Sequence, residues 1–263
     1  MNMRTLWVGV YLIVITLAAH GQTLSILADF SQSTGFPEVM VQGADGNFYI
    51  ATSGEGPGSI LKMTPTGTAT TLYAFPAGSA TSLTQGSDGN FYGTASVGPD
   101  TRTVFKLTST GTLTTLDSFT GPADGSPYAV IQGADGNLYG TTLNGGTSAS
   151  ATSPGAGTVF KITPAGVLTT LHNFAGSDGT FPQGLIQATD GNFYGTTAYG
   201  GSGSCTSTIA LDRGCGTVFK ITPEGSLTTL YSFDVTHGSV PNLLFQGADG
   251  NFYGATQAGG EVD

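Results

Sequence analysis

The chain has 263 residues, of which 42 are Gly, with charged residues at only 9% and hydrophobic residues at 38%. Such a chain is too apolar to stay disordered, and its glycines follow no collagen period. Seven basic against 17 acidic residues give a net charge of −10, which argues against nucleic acid and anionic membranes as partners, since both need a basic surface.

Residues 1–21 read as a secretory signal peptide: Arg4 stands in a short polar start, Leu6 to Ala19 is nearly all apolar, and Ala19 and Gly21 are the small residues a cleavage pocket takes. Cleavage after Ala19 or after Gly21 fits; the other reading is an uncleaved anchor, for which about 14 apolar residues are short. No later stretch reaches spanning length, so no membrane span is expected after cleavage. Residues 22–263 are then expected to form a single domain.

From there the chain repeats. Asp-Gly-Asn stands at Asp45, Asp88, Asp135, Asp190 and Asp249, each time followed by an aromatic residue or Leu and then Tyr. Before it lies a short apolar patch ending in Gln, as in Val39–Gln42. A two-residue Asp-Gly loop between short apolar runs is a hairpin signal. A third patch follows, Gly157–Thr163 and Gly216–Thr222, with variants at Ile60–Met63 and Val104–Leu107. Pro-x-Gly or a related turn then leads into a fourth patch, Ala69–Phe75, Leu113–Phe119, Leu168–Phe174 and Leu227–Phe233. The units are residues 36–75, 81–119, 127–174, 182–233 and 241–263, with residues 24–30 as a separate fragment.

No apolar period of 3.6 runs over a helical length, and β-branched and aromatic residues occupy both faces of each patch. The expected fold is all-β: a β-propeller of about five four-stranded blades. Leu24–Phe30 matches a fourth strand with no unit before it, while the sequence given ends after the second strand of a fifth unit. The two ends are expected to share the last blade, which is incomplete because it lacks its third strand; either that blade has three strands or the chain is a fragment.

With DGNFYGTT, GTVFKITP and LTTLYSF, the chain resembles the GloVer tandem-repeat family of secreted or surface-anchored bacterial proteins, from Leu24 to Gly260. That resemblance implies an extracellular location and carries no activity, catalytic residue or cofactor with it. Members often end in a sorting or anchoring segment, which has no counterpart here. The Asp-Gly-Asn hairpin alone also resembles that of secreted propellers of the lactonase and NHL kind.

Cys205 and Cys215 lie in the longest loop and, in a secreted chain, are expected to form a disulfide; a metal site would need further thiols or a His beside them. The five turn acids Asp45, Asp88, Asp135, Asp190 and Asp249 read as structural, since a calcium loop needs several carboxylates in one short segment. Lys62, Lys106, Lys161 and Lys220 share one position in the repeat, either paired with the turn Asp or with the head reaching the sheet edge. There is no Gly-x-Ser-x-Gly, no His-Glu-x-x-His and no phosphate loop, so no catalytic residue and no metal is assigned.

In a meander, the Asp-Gly and Pro-x-Gly turns emerge on one side, and the loops between second and third strands emerge on the other together with the links between blades. Spacing between successive Asp-Gly-Asn motifs grows from 43 to 59 residues, almost wholly in that second kind of loop. Variable loops on a rigid ring are a usual place for binding. The candidate ligand-binding residues there are Asn144, Tyr199, Asp124, Asp178 and His237, with an extracellular protein or glycan as partner. An extracellular hydrolase, lactonase or lyase with a site in the central funnel is the alternative.

Overall fold

The structure, a computed structural model, describes residues 10–16, 23–30, 35–149, 153–203, 205 and 214–259. Every regular element among them is a strand. β1 (Val10–Thr16) and β2 (Thr23–Phe30) form an amino-terminal hairpin. Unit one is β3 (Phe36–Gln42), β4 (Phe48–Ser53), β5 (Ser59–Met63) and β6 (Ala69–Ala74). Unit two is β7 (Ser79–Gln85), β8 (Phe91–Ser96), β9 (Arg102–Leu107) and β10 (Leu113–Phe119). Unit three is β11 (Pro127–Gln132), β12 (Leu138–Thr142), β13 (Thr158–Ile162) and β14 (Leu168–Asn173). Unit four is β15 (Thr180–Gln187), β16 (Phe193–Tyr199), β17 (Thr217–Ile221) and β18 (Leu227–Ser232). Each of these four units is an antiparallel meander of four strands in sequence order, the blade of a β-propeller.

The blades pack face to face, and the two-residue alternation of each strand divides its side chains between two neighbours. In β4, Tyr49 and Ala51 join Phe91 and Phe105 of unit two, whereas Ile50 points the other way, onto Phe30 of β2. The same arrangement recurs between units two and three around Tyr92, Phe119, Leu138 and Phe160, and between units three and four around Tyr139, Phe174, Phe193 and Phe219. The Tyr of one turn motif lies against the aromatic of the next, at 4.0 Å for Tyr49–Phe91, 4.0 Å for Tyr139–Phe193 and 4.2 Å for Tyr194–Phe252.

The Gln that ends each first strand ties the blades together. Gln85 Oε1 accepts the Ala44 N–H at 2.7 Å, Gln132 that of Ser87 at 2.7 Å, Gln187 that of Ala134 at 2.8 Å and Gln246 that of Thr189 at 3.1 Å. Each of these glutamines also donates through Nε2 to the Gly carbonyl of its own turn. One side chain thus fixes a turn and clips it to the preceding blade.

The fifth unit is shorter. Its first two strands are each broken, so that β19 (Ser239–Pro241) pairs with β22 (Thr256–Ala258) and β20 (Phe245–Gln246) with β21 (Phe252–Tyr253). The expected sharing of this blade between the two ends is not met: β2 pairs along its length with β1, not with a carboxy-terminal strand. The reason is local. Val10–Thr16 reads VYLIVIT, a strong strand former a few residues before β2, so a short-range hairpin competes with a pairing that spans the chain. Phe30 and Ala28 still pack on unit one, where the fourth strand of a preceding blade would lie. β1 falls within the stretch read as a signal peptide, and cleavage there would remove it.

Candidate binding face

The two faces of the blade stack use their acids differently. On the turn face, Asp45 Oδ1 accepts the Asn47 N–H at 3.1 Å, and Oδ2 accepts from Asn47 Nδ2, Tyr49 Oη and Lys62 Nζ at 2.8, 2.9 and 2.8 Å. The same set closes around Asp88 with Lys106 and around Asp190 with Lys220. Lys161 differs: its Nζ lies 6.0 Å from the Tyr139 ring centre, and no ion pair to Asp135 is among those of the described residues. Lys62 and then Asn47 hold the Asp45 carboxyl well below the usual range, and Asn192 leads the same effect at Asp190. At Asp88 burial pushes upward, but Asn90 and Lys106 outweigh it. These lysines are about a third exposed, lying along the Tyr ring with the ammonium at the sheet edge. The Oδ2 atoms of Asp45, Asp88 and Asp190 each accept from the Asn and Tyr of their own turn and from a third-strand Lys, so these acids are engaged within the blade.

On the link face, each junction between blades is built differently. Between units two and three, Asp124 Oδ2 accepts the N–H groups of Thr120 and Gly121 at 3.1 and 2.8 Å, and Asn144 Oδ1 accepts that of Ser126 at 2.7 Å. Gly125 has φ 76°, and a Cβ there would lie 2.0 Å from the Asn144 carbonyl oxygen. A polar cavity of about 410 Å³ beside this link is lined by Asp100, Arg102, Thr120 and Asn144. Arg102 is fastened there by donating to the Gly98 and Thr101 carbonyls.

Between units three and four, Asp178 Oδ1 accepts the Ala175 N–H at 2.8 Å, while Oδ2 lies 2.8 Å from His172 Nε2. His172 packs edge-on against Phe174, and Tyr199 edge-on against Phe181. The Cys205–Cys215 disulfide closes the adjoining loop. Between units four and five, Asp234 Oδ1 accepts the His237 N–H at 2.9 Å and lies 2.7 Å from His237 Nδ1. The His237 backbone bond, with its side chain, holds Asp234 below the usual carboxylate range.

Phe181 and Val240, one residue before the Pro of their links, both have φ 55°. Such a conformation costs a bulky or β-branched residue roughly 1–3 kcal/mol. It is held by neighbouring loops: the Phe181 N–H donates to Ala156 O at 3.0 Å and that of Val240 to Cys215 O at 2.9 Å.

Asn144 and Asp124 thus share one link, Asp178 and Tyr199 the next, and His237 occupies the third. The cavity of about 410 Å³ takes Asn144, one of about 290 Å³ takes Asp124, one of about 610 Å³ takes His237, and none of the three takes two of them. Sequence reasoning missed the two Asp–His pairs. One lay close at hand: aligning the links sets His237 before Gly where Asp124 and Asp178 stand, and the acid three residues earlier, Asp234, is the partner that the alignment alone did not point to. Among the described residues no three of His, Cys, Asp and Glu stand close enough to hold a metal ion.

The comparisons agree with this architecture. No curated protein matches the chain. The virginiamycin B lyase of Staphylococcus aureus, solved with quinupristin, is 16% identical with a TM-score of 0.57, over 94% of this chain and 80% of that one. The periplasmic gluconolactonase of Pseudomonas aeruginosa is 17% identical with a TM-score of 0.55, over 88% of this chain and 72% of that one. At such identity the likeness concerns the fold alone. The model of the Gloeobacter/Verrucomicrobia repeat matches residues 12–210 and 79–263, and the chain belongs to that family.

Proposed function

We propose that this chain is a secreted, non-enzymatic repeat protein that presents the loops of its link face to an extracellular protein or glycan. The observation that carries the reading is the state of the link-face acids. Asp124 and Asp178 accept backbone N–H groups of their own loops, Asp178 and Asp234 each face a histidine, and Asn144, Asp124 and His237 each line a different cavity. A catalytic funnel needs several titratable groups aimed at one point, whereas a binder can work with fixed loops of varied shape and polar lining. Secretion is supported by the leader-like residues 1–21 and by the disulfide, which persists in an oxidising compartment.

A glycan and extracellular-matrix array, with the intact mass of the exported protein measured alongside, tests this. Retention that is lost when the Asn144 and Tyr199 side chains are removed is expected, with a mass short of the leader and two hydrogens. The alternative, an extracellular hydrolase, lactonase or lyase, has one observation in its favour, the His172–Asp178 pair at 2.8 Å. Turnover of a lactone panel that His172→Ala abolishes would establish that alternative and overturn the binding reading.

A further inference from the structure

The cavity of about 410 Å³ at the link between units two and three lies where one position breaks the repeat. Four residues before the third-strand lysine, three units hold a glycine: Gly58 before Lys62, Gly157 before Lys161 and Gly216 before Lys220. Each of these glycines closes on the first strand of the next unit. A Cβ at Gly58 would stand 2.6 Å from Ser79 Cβ, and one at Gly157 or Gly216 would stand 2.5 or 2.6 Å from the Cδ of Pro182 or Pro241. In unit two the same position, four before Lys106, is Arg102.

A backbone tie changes at the same place. The Phe181 N–H donates to Ala156 O and that of Val240 to Cys215 O, each joining a link to the loop of the preceding unit. At the link between units two and three, the Ser126 N–H goes instead to Asn144 Oδ1 of its own unit. This seam is therefore open, and a long side chain lines it where a glycine closes the others. Arg102 is half-buried and is fastened through Nη1 alone, which donates to Gly98 O and Thr101 O at 3.0 and 3.3 Å. Its Nε and Nη2 have no protein acceptor among the described residues. Neither Arg102 nor Asp100, on the same wall, belongs to an ion pair among those residues. Asn144 Oδ1 is taken by Ser126, while its Nδ2 stays free to donate.

We propose that this cavity is a binding site for an uncharged sugar unit of a glycan, held by Arg102, Asp100 and Asn144. The proposal rests on the reading of the link face as a binding surface and names the ligand class for one of its links. The guanidinium and the free amide nitrogen only donate, and the Asp100 carboxylate only accepts. Neighbouring sugar hydroxyls do both, so one ring can satisfy the three groups together. An anionic ligand would suit Arg102 but would meet Asp100 on the same wall and a chain of net charge −10. Pro99 and Pro122 supply apolar surface for the C–H face of a ring. The volume falls within the range of about 300–1,000 Å³ usual for small-ligand sites.

The test uses the full chain with maltose, cellobiose, lactose and sucrose, and with glucuronate and galacturonate as acidic counterparts, followed by saturation-transfer NMR and calorimetric titration. Saturable binding of at least one neutral disaccharide is expected, weakened about tenfold or more by Arg102→Gly. That substitution gives unit two the residue of the other three units, so its unfolding midpoint should stay near that of the parent. Asp100→Asn should weaken the same sugar, because it removes an acceptor. Three results would overturn the proposal: no neutral disaccharide binds, binding ignores Arg102→Gly, or the uronates bind and Asp100→Asn tightens them, which would make the ligand an anion. Retention on the glycan and matrix array that needs Tyr199 but ignores Arg102→Gly would overturn this site alone. Lactone turnover abolished by His172→Ala would instead overturn the link-face reading beneath it.

Discussion

The turn face and the link face draw on the same residue types and solve opposite problems. Each Asp-Gly turn is closed by its own side chains, and its glycine faces open space: Gly89 has φ 78° and nothing within 4 Å of a would-be Cβ. The links are closed by backbone packed against backbone, as where the Gly125 Cβ position lies 2.0 Å from Asn144 O. Local hydrogen bonding yields a uniform surface that tolerates its neighbours. Tight backbone packing yields a surface whose shape can vary from link to link while each loop stays rigid, which is what presentation of a binding face needs.

The sharpest way to break this contrast is with alanine in place of glycine. Gly125→Ala meets both positive φ and a backbone clash and should cost about 3 kcal/mol or more, whereas Gly89→Ala meets positive φ alone and should cost about 1 kcal/mol. Urea unfolding of both variants measures the difference; equal losses would mean the two faces are not built differently. Next in size is the disulfide. Removing it by Cys215→Ser should cost about 2–3 kcal/mol on the chain-entropy estimate for its short loop, read as a lowered unfolding midpoint.

The smallest effect expected is on the turn face, where Asp88→Asn removes an ion pair that is about a third exposed and should cost about 1 kcal/mol at neutral pH. Its pH dependence sharpens the comparison. The folded Asp88 carboxyl titrates below its unfolded value of about 3.9, so its contribution is complete above that value and is lost as pH falls through the lower, folded one. Unfolding midpoints of the parent and of Asp88→Asn should therefore differ at neutral pH and draw together in acid. A constant gap would show that the carboxylate charge contributes nothing.

What the sequence made legible follows from distance along the chain. The strands, the turns and the disulfide rest on patterns a few residues long: Asp88 and Tyr92 are four apart, and Cys205 and Cys215 ten. The Gln clips were not legible, because Gln85 meets an amide 41 residues away and nothing local marks it. The partner of β2 was misjudged for the reverse reason: the repeat suggested a distant strand, and a nearby β-branched run took its place. At the candidate site, sequence located the links but not what their acids do, since Asp178 and Asp234 are defined by histidines whose position depends on how each loop folds back.

The glutamine clips give the array a polarity that bears on how such a gene can change. Each blade offers an amide to its successor and an acceptor to its predecessor, so excising unit three whole would bring the Ser87 amide to Gln187 in place of Gln132. Loss or duplication in whole multiples therefore leaves every internal junction matched, while a break inside a module strands one partner. Recombination between near-identical coding stretches can yield working arrays of different reach without any further adjustment of sequence.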